Sequence, residues 1–304
     1  MARERYADQV QLLVRLLPIV ADERDFALKG GTAINLFYRD LPRLSVDIDL
    51  TYVPVKDRAE SLADIDAAMD RILNAINKLP NVRGRRIAGG GHGDTRVQAE
   101  AGNSVVKIET SPVARGTVLV PAAKRVSPAV EEQFGFAETQ VVAFEDLYGG
   151  KFHAALDRQH PRDLYDVKLL YENEGITDDL FQVFLVYVAC SGRPSHELLN
   201  PNPQALEGVF EKEFSGMTVE PVTVKELEDV RTRFFEDIQS RLTGSSAAFL
   251  RSLQASAPDF TLIDLPEAAN LPAVRWKMQN LAKLIAENPQ KHKEQSDALE
   301  AIIH

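Results

Sequence analysis

Cysteine is nearly absent from this sequence: Cys190 is the single one among 304 residues. One thiol cannot form an internal disulfide, so the folded chain depends on a hydrophobic core. The 44% of hydrophobic residues is ample for such a core. A chain without disulfides is typical of a reducing compartment, and we expect a cytoplasmic protein.

Long apolar runs and clustered histidines are missing as well. The longest strongly apolar run, residues 181–190, is too short to span a bilayer and predicts a buried helix. The N-terminal segment MARERYADQVQLLVRLLP is charged and amphipathic, and it lacks the apolar centre of a secretory signal. The six histidines are scattered without metal-ligand spacing. The sequence therefore predicts neither a membrane partner nor a zinc site.

Positive charge is scarce overall but concentrated in one stretch. The formal net charge of −10 argues against broad nucleic-acid binding through overall charge. Residues 81–125, however, contain eight basic and only three acidic residues, a local net charge of +5. The basic residues are Arg83, Arg85, Arg86, Arg96, Lys107, Arg115, Lys124 and Arg125. Solvated arginines on a hairpin would give the same pattern. As a group they suit a polyanion such as RNA, with Arg83, Arg85 and Arg86 as the first candidates.

Hydrophobic periodicity predicts an α+β protein with a mostly helical C-terminal half. A helix is predicted at 4–20, and SVDIDLTYV at 45–53 alternates like a strand. Further strands are predicted at 83–87, 95–99 and 104–110, and from residue 176 onward helical stretches dominate. We therefore predict one domain at 1–175 and a helical domain at 176–304, although an intimate interface between the halves would give the same pattern.

The glycine-rich stretch AGGGHGD at 88–94 links two predicted strands instead of opening a helix. It is typical of a hairpin tip and not of a phosphate-binding loop.

Two carboxylates interrupt an otherwise apolar strand. Asp47 and Asp49 are two residues apart, so a strand places both on one face and their apolar neighbours on the other. Like charges this close repel each other. A hard divalent cation relieves the repulsion, and Mg²⁺ is commonly held by one or two carboxylates with waters and substrate phosphates. The pair predicts a Mg²⁺ site, which Mn²⁺ could also fill.

A phosphate-binding pattern stands just ahead of this strand. Gly30 and Gly31 let the backbone approach a ligand closely, and Thr32 can cap the helix that is predicted to follow. Free N–H groups at a helix N-terminus suit phosphate. Ser45, two residues before Asp47, is a candidate for positioning a phosphate or a metal-bound water. Glycines, helix and carboxylate pair in this order are much more specific than either short motif alone.

These residues resemble a known family. The run GGT, a helix and then RLSVDIDL is similar to the polymerase-β-like nucleotidyltransferase superfamily. More narrowly it resembles the AbiEii/AbiGii toxin family of bacterial toxin–antitoxin and phage-defence systems, which includes the MenT-type toxins. A second run, GGKFHAALDRQHPRDLYDVKLL at 149–170, matches the same family. The resemblance covers about residues 25–175 and implies a nucleotidyltransferase core of mixed sheet and flanking helices.

The resemblance also implies a third strand-borne carboxylate, for which Glu109 in SVVKIETSP is the candidate. Glu109 would complete the metal site or orient an attacking hydroxyl. A surface pair between Glu109 and Lys107 on the same strand face is the alternative.

In the second run, the resemblance implies that Lys151 contacts the nucleotide phosphates and that Asp166 is functional. Asp163 equally fits a structural role, because acids are favoured in the first turn of a helix. Arg158 could reach phosphate or simply cover the helix surface.

Together these features predict a Mg²⁺-dependent nucleotidyltransferase that moves a nucleoside monophosphate from a nucleoside triphosphate to an acceptor hydroxyl. The resemblance implies the 3′ end of tRNA as acceptor, a role as toxin, and a cognate antitoxin protein as possible partner. Two alternatives are a small-molecule nucleotidyltransferase of the aminoglycoside-modifying kind and a catalytically silent nucleotide-binding module.

Overall fold

The computed structural model describes residues 2–87 and 95–304 and divides the chain into two compact units. The first comprises Met1–Ala143 and Met217–Glu220, and the second comprises Phe144–Gly216 and Pro221–His304. The predicted hairpin tip at 88–94 lies outside the described residues. No helix within those residues is both long and apolar enough to cross a membrane.

A seven-stranded mixed sheet organises the described part of the first unit. The strands are β1 (Phe26–Lys29), β2 (Ile48–Tyr52), β3 (Arg83–Arg86), β4 (Arg96–Ala101), β5 (Ser104–Thr110), β6 (Ala122–Arg125) and β7 (Glu138–Val141). Their order across the sheet is β3-β4-β5-β2-β1-β7-β6. The pairs β1–β7 and β2–β5 are parallel and the others antiparallel. This order brings β1, β2 and β5 side by side, although they are far apart in sequence.

Amphipathic helices supply the other layer of this unit. They are α1 (Ala2–Ala21), the short α2 (Gly30–Ala33), α3 (Arg58–Ile76) and α4 (Pro128–Phe134). α1 packs on β5 and β7, and α3 packs on β3 and β4. Leu13, Leu16 and Leu17 of α1, which stand at helical spacing, are all fully buried. Burial of such a side chain contributes about 1.5–3 kcal/mol, so this face anchors α1.

The arginines of β3 are divided between the two faces of the sheet. Gly84 lies against the α3 side chains, and Arg86, two residues on, binds Asp66 and Asp70 of α3 at 2.6 Å each. Arg83 and Arg85 are exposed and point to the opposite face. Arg86 therefore lies on the other face of the sheet from Arg83 and Arg85, because neighbouring residues of a strand alternate between faces, and the role of these arginines toward RNA stays a prediction.

A short bridge ties a distant segment of the chain into the first unit. Arg43 forms an isolated antiparallel bridge with Thr218. The backbone N–H groups of Leu44 and Val219 each donate a hydrogen bond across this bridge at 2.9 Å. Residues 217–220 consequently belong to the first unit, although the chain on either side of them belongs to the second.

The described residues of the second unit are helical. The α-helices are α5 (Phe144–Asp157), α6 (Pro161–Asn173), α7 (Asp178–Cys190), α8 (Ser195–Leu199), α9 (Glu207–Glu213), α10 (Val224–Ser240), α11 (Gly244–Gln254), α12 (Pro272–Glu287) and α13 (Pro289–Glu300). Short 3₁₀ turns occupy Phe260–Ile263 and Pro266–Asn270. Three aromatic rings pack in its core, with Phe152 of α5 at 5.8 Å from Phe184 and 4.9 Å from Phe234 between ring centroids.

Close packing of α5 on α7 depends on a glycine. A Cβ atom at Gly149 would stand 2.9 Å from the Tyr187 ring and 3.3 Å from Val183, both on α7. The Tyr187 hydroxyl donates a 3.0 Å hydrogen bond to Asp146 Oδ1, which fixes the ring over the glycine. Residue 149 must lack a side chain for α7 to pack at this distance, and Lys151 follows on the same helix.

The predicted α+β class, with a mixed sheet and a mostly helical C-terminal region, is confirmed. The sequence-based boundary at residue 175 falls just after α6, inside the second unit, whereas the two units divide at residues 143 and 144. The assignment of 1–175 to one nucleotidyltransferase domain stays a prediction about function.

We expect Gly149→Ala to lower the free energy of unfolding by about 1–3 kcal/mol, because the added methyl group overpacks the α5–α7 contact. Chemical denaturation monitored by circular dichroism measures the change. Gly192→Ala is the matched control: nothing lies within 4 Å of a Cβ at Gly192, so this variant should stay within about 0.5 kcal/mol of wild type. Equal stability of the two variants would show that the Tyr187 ring can move aside without cost.

Candidate active site

The two aspartates lie at the start of β2. Asp49 is in the strand and Asp47 directly precedes it, so the strand begins later than the predicted residue 45. Ile48 and Leu50 are fully buried, whereas both aspartates are half-buried. The backbone carbonyl of Asp47 accepts a hydrogen bond from the Thr32 hydroxyl. The predicted alternation of acidic and buried apolar side chains is thus present from Asp47 to Leu50.

Strand register places four charged side chains in one row across the sheet. Asp49 lies directly opposite Lys29 of β1 and Glu109 of β5, and Glu109 lies opposite Arg96 of β4. Directly opposed residues share a face, with Cβ atoms about 5 Å apart. Arg96 Nε is 2.9 Å from Glu109 Oε2. The row therefore reads positive, negative, negative, positive from β1 to β4.

Lys29 sits in this row as a half-buried cation. Burial lowers the pKa of its ammonium from the usual 10.5, while the carboxylates of Asp49 and Glu109 act in the opposite direction. Lys29 therefore loses hydration at this position, and the negative charges of Asp49 and Glu109 offset part of that loss.

Gly30 permits the approach of β2 to the turn after β1. Its φ of +76° is in the left-handed region, which favours glycine. A Cβ here would collide with the Asp49 carboxylate oxygen and lie 3.1 Å from Asp49 Cβ. The Asp49 side chain thus occupies the space that a side chain at residue 30 would need.

Gly31, Thr32 and Ser45 form one contact group. A Cβ at Gly31 would lie 2.9 Å from Ser45 Oγ and 2.6 Å from Arg43 Nη2. The Thr32 and Ser45 hydroxyl oxygens are 3.0 Å apart. The structure therefore brings Ser45 to Gly31 and Thr32, and its role toward a phosphate stays a prediction.

The expected capping role of Thr32 is wrong. α2 begins at Gly30, its N-cap is Lys29, and Thr32 is the third helical residue. The Thr32 hydroxyl is used instead to hold Asp47 and Ser45. The Lys29 side chain makes no capping hydrogen bond, so no side chain at the N-cap competes for the first N–H groups of α2. α2 continues directly into a π-helix, Ile34–Tyr38, which Asn35 links back through a 2.7 Å bond to the Gly31 carbonyl.

The carboxylates fit a cation that arrives with phosphates. No group of three or more His, Cys, Asp or Glu side chains in the described part of the chain could by itself hold a metal ion. Asp47 and Asp49 alone nevertheless suit Mg²⁺, which keeps waters and takes oxygen atoms from substrate phosphates. Glu109 is beside Asp49 but already bound to Arg96, and its role as a third ligand stays a prediction.

In the second unit, Lys151 of α5 lies between two aspartates of α6. Its Nζ is 2.8 Å from Asp163 Oδ1 and 2.9 Å from Asp166 Oδ2. Both aspartates are fully buried, and Lys151 is only 7% exposed. A buried pair of this kind is strongly destabilised when one partner is lost, because the other charge then stays buried without compensation.

Arg158 completes this cluster from the surface. Its Nε and Nη2 bind the two oxygens of Asp163 at 2.6 Å and 3.1 Å, a bidentate contact. Burial alone would raise the pKa of Asp163, but the Lys151 ammonium and the Arg158 guanidinium outweigh it and hold this pKa well below the usual 3.8. Asp163 is therefore ionised at neutral pH and holds Lys151 and Arg158 in place.

Two residues of the first site were missed from the sequence. Arg43 is 3% exposed, lies against Gly31, and donates from Nη1 to the Leu44 carbonyl at 2.8 Å. Lys29 stands directly before the glycines. Lys29 is only an isolated basic residue in the sequence, and its proximity to Asp49 follows from the pairing of β1 with β2. Arg43 opens the run RLSVDIDL, but only the folded chain shows that its side chain lies against Gly31.

We expect Asp163 to contribute to acid unfolding. Its folded-state pKa is below the unfolded value of 3.8, so the unfolded state binds more protons as pH falls from about 4, and stability is lost through that window. Asp163→Asn should lower the free energy of unfolding at pH 7 by about 3 kcal/mol and flatten its fall below pH 4. Thermal melts at a series of pH values measure both effects.

Asp178→Asn is the control for this prediction. The Asp178 side chain is 92% exposed and pairs with Arg241 at 2.9 Å, so its loss should leave the acid limb nearly unchanged. Parallel pH profiles of wild type and Asp163→Asn would contradict the assignment.

The chain resembles known proteins in its sequence family and in its fold. No curated protein matches the sequence. The fold is similar to that of MenT4, a nucleotidyltransferase toxin from Mycobacterium tuberculosis H37Rv, at 14% identity with a TM-score of 0.57 over 98% of this chain and 94% of that one. The family model for the nucleotidyl transferase AbiEii toxin of type IV toxin–antitoxin systems matches residues 11–280, which include both the glycine–aspartate segment and the Lys151 cluster. The chain therefore belongs to the AbiEii family of nucleotidyltransferase toxins.

Proposed function

We propose that this toxin transfers a nucleoside monophosphate from a nucleoside triphosphate to the 3′ end of tRNA, in a reaction that depends on Mg²⁺ or Mn²⁺. The observation that carries the proposal is the contact of the Asp47–Asp49 segment with the Gly30–Thr32 turn. It combines carboxylates for a hard cation with a helix start at which the N-cap side chain makes no capping hydrogen bond. Family membership supplies the reaction class.

In this proposal the residues of the first unit have different roles in the reaction. Asp47 and Asp49 hold the cation, which when bound stabilises charge on the attacking and leaving oxygens. Gly30, Gly31 and Thr32 receive the phosphates, and the Ser45 hydroxyl orients one of them. Glu109, kept in place by Arg96, orients the acceptor hydroxyl.

For Lys151 and Asp166 the proposal follows the family resemblance of their sequence. Lys151 would offset negative charge on the nucleotide phosphates, and Asp166 would hold the ammonium for that task. Arg158 is engaged by Asp163, and its assignment to the nucleotide stays a prediction. Lys151→Ala is not a clean test of this role, since it would leave two buried carboxylates without their shared cation.

The acceptor is proposed from the charge of the sheet face that carries Asp49. Arg83, Arg85, Arg96 and Lys107 share this face with Glu100 and Glu109, because strand register alternates them away from the core residues of β4 and β5. Basic residues outnumber acidic ones on this face of β3, β4 and β5, which favours a polyanion. A small cationic acceptor, as in aminoglycoside modification, would instead need acidic surroundings, and a silent module would not need the carboxylate pair.

Two further parts of the proposal follow from the family. A type IV toxin implies a cognate antitoxin protein as partner. Arrest of translation through a modified tRNA end would also stop phage growth, which is the defence role that we propose.

We expect Asp47→Asn and Asp49→Asn each to abolish nucleotidyl transfer, because the cation loses a charged ligand. Incubation with each labelled nucleoside triphosphate, Mg²⁺ and total RNA, followed by a gel, measures transfer. The melting temperature should move by only a few degrees, since both side chains are half-buried. Glu132→Gln, at an exposed carboxylate of α4, is the control and should stay active. Near-normal transfer by either Asp variant would refute the cation assignment.

We expect the combined variant Arg83→Ala, Arg85→Ala, Lys107→Ala to raise the KM for RNA and reduce its salt dependence. The slope of log KM against log salt concentration should fall by somewhat under ~1 for each phosphate that the variant no longer binds. The KM for the triphosphate should hardly change. Steady-state kinetics at two salt concentrations measure both constants.

Arg86→Ala is the matched control, since Arg86 lies in the same strand but faces α3. It should lower stability without altering the salt dependence of RNA use. An unchanged RNA KM in the combined variant would exclude this face as the RNA path, and labelling of a small amine in place of RNA would overturn the tRNA proposal.

A further inference from the structure

Lys29 connects the two functional elements of the first unit. It is the last residue of β1, directly before Gly30, and it lies opposite Asp49 in the antiparallel pair. Its half-buried side chain therefore shares a face with Asp49 and, one strand further, with Glu109. Lys29 is thus next to the proposed phosphate-binding residues Gly30–Thr32 along the chain. Across the sheet it is next to Asp49, a proposed ligand of the cation.

An ammonium at this place competes with a divalent cation for the same negative charge. A unit positive charge about 5 Å from a divalent ion weakens its binding by tenfold or more, even where water screens strongly. Asp49 is the nearest carboxylate to Lys29 by register, and Asp49 is also a proposed metal ligand. The free protein therefore presents a carboxylate whose charge is already partly balanced.

Arg96, at the other end of the row, is a weaker competitor. Its side chain is 42% exposed and is bound to Glu109 at 2.9 Å, so solvent screens it from Asp49. Lys29 is the better placed cation.

We propose that Lys29 is a positioning residue that balances Asp49 in the free protein and thereby makes divalent-cation binding depend on the triphosphate. The inference rests on the proposed function, since it concerns the same site. A triphosphate bound at Gly30–Thr32 offers the ammonium a second anionic partner, adjacent in the chain. It also brings further oxygen ligands to the cation. Binding of the triphosphate and binding of the divalent cation then favour each other.

The test is titration of the folded proteins with Mn²⁺ alone, with free Mn²⁺ followed by electron paramagnetic resonance. Lys29→Met keeps the length of the side chain and removes the charge, and it should bind Mn²⁺ at least tenfold more tightly than wild type. Lys29→Arg retains the charge and should behave like wild type. Lys78→Met, at an exposed turn after α3, is the control for loss of one lysine and should not alter Mn²⁺ affinity.

A second titration includes a non-hydrolysable nucleoside triphosphate. The nucleotide should tighten Mn²⁺ binding more in wild type than in Lys29→Met, because only wild type has a competing ammonium to displace. A lysine that merely supports the fold predicts the reverse, with Mn²⁺ affinity reduced or unchanged in Lys29→Met, and that result overturns the inference. Absence of Mn²⁺ binding in every variant, even with triphosphate, would instead refute the metal-dependent function itself.

Discussion

The candidate site of the first unit depends on one steric constraint, the contact of the residue-30 backbone with the Asp49 side chain. Because residue 30 has no Cβ and adopts a positive φ, β1 can end and α2 can begin directly beside β2. Thr32 then reaches the Asp47 carbonyl, and Gly31 meets Ser45 and Arg43. Any side chain at residue 30 would push these groups apart. The positions of the turn and of the carboxylates therefore depend on each other.

The second unit solves a different electrostatic problem. Three charges are almost fully buried there, and mutual pairing offsets their lost hydration. Asp163 binds two cationic partners, Lys151 and Arg158, and which of the two aspartates is functional stays a prediction. α7 packs tightly on Gly149 of α5, the helix that carries Lys151. In the first unit Asp47 and Asp49 are half-buried. In the second unit Lys151, Asp163 and Asp166 are almost fully buried.

Much of this arrangement was predictable from local pattern. The alternation around Asp49, the helices at either end and the family were confirmed, because each leaves a signal within a short window. β6 and β7 were missed because both are four-residue strands without clear alternation. The contacts of Lys29, Arg43 and Arg86 depend on which segment of the folded chain packs beside each of them, and that is a tertiary property. Thr32 looked like a cap because Ser45 and Asp47, its true partners, are more than ten residues away.

The bridge between Arg43 and Thr218 has a consequence for how the protein is made. The seven strands of the described sheet are complete by residue 141, yet the segment that pairs with residues 42–44 begins at Met217 and is synthesised more than seventy residues later. Leu44, whose N–H that segment accepts, immediately precedes Ser45 and the carboxylate strand. The stretch that leads into the candidate carboxylates Asp47 and Asp49 is therefore the last part of the first unit to gain its native partners. A nascent or prematurely terminated chain would contain the sheet without the support of residues 217–219. The candidate site would therefore be completed only late in translation.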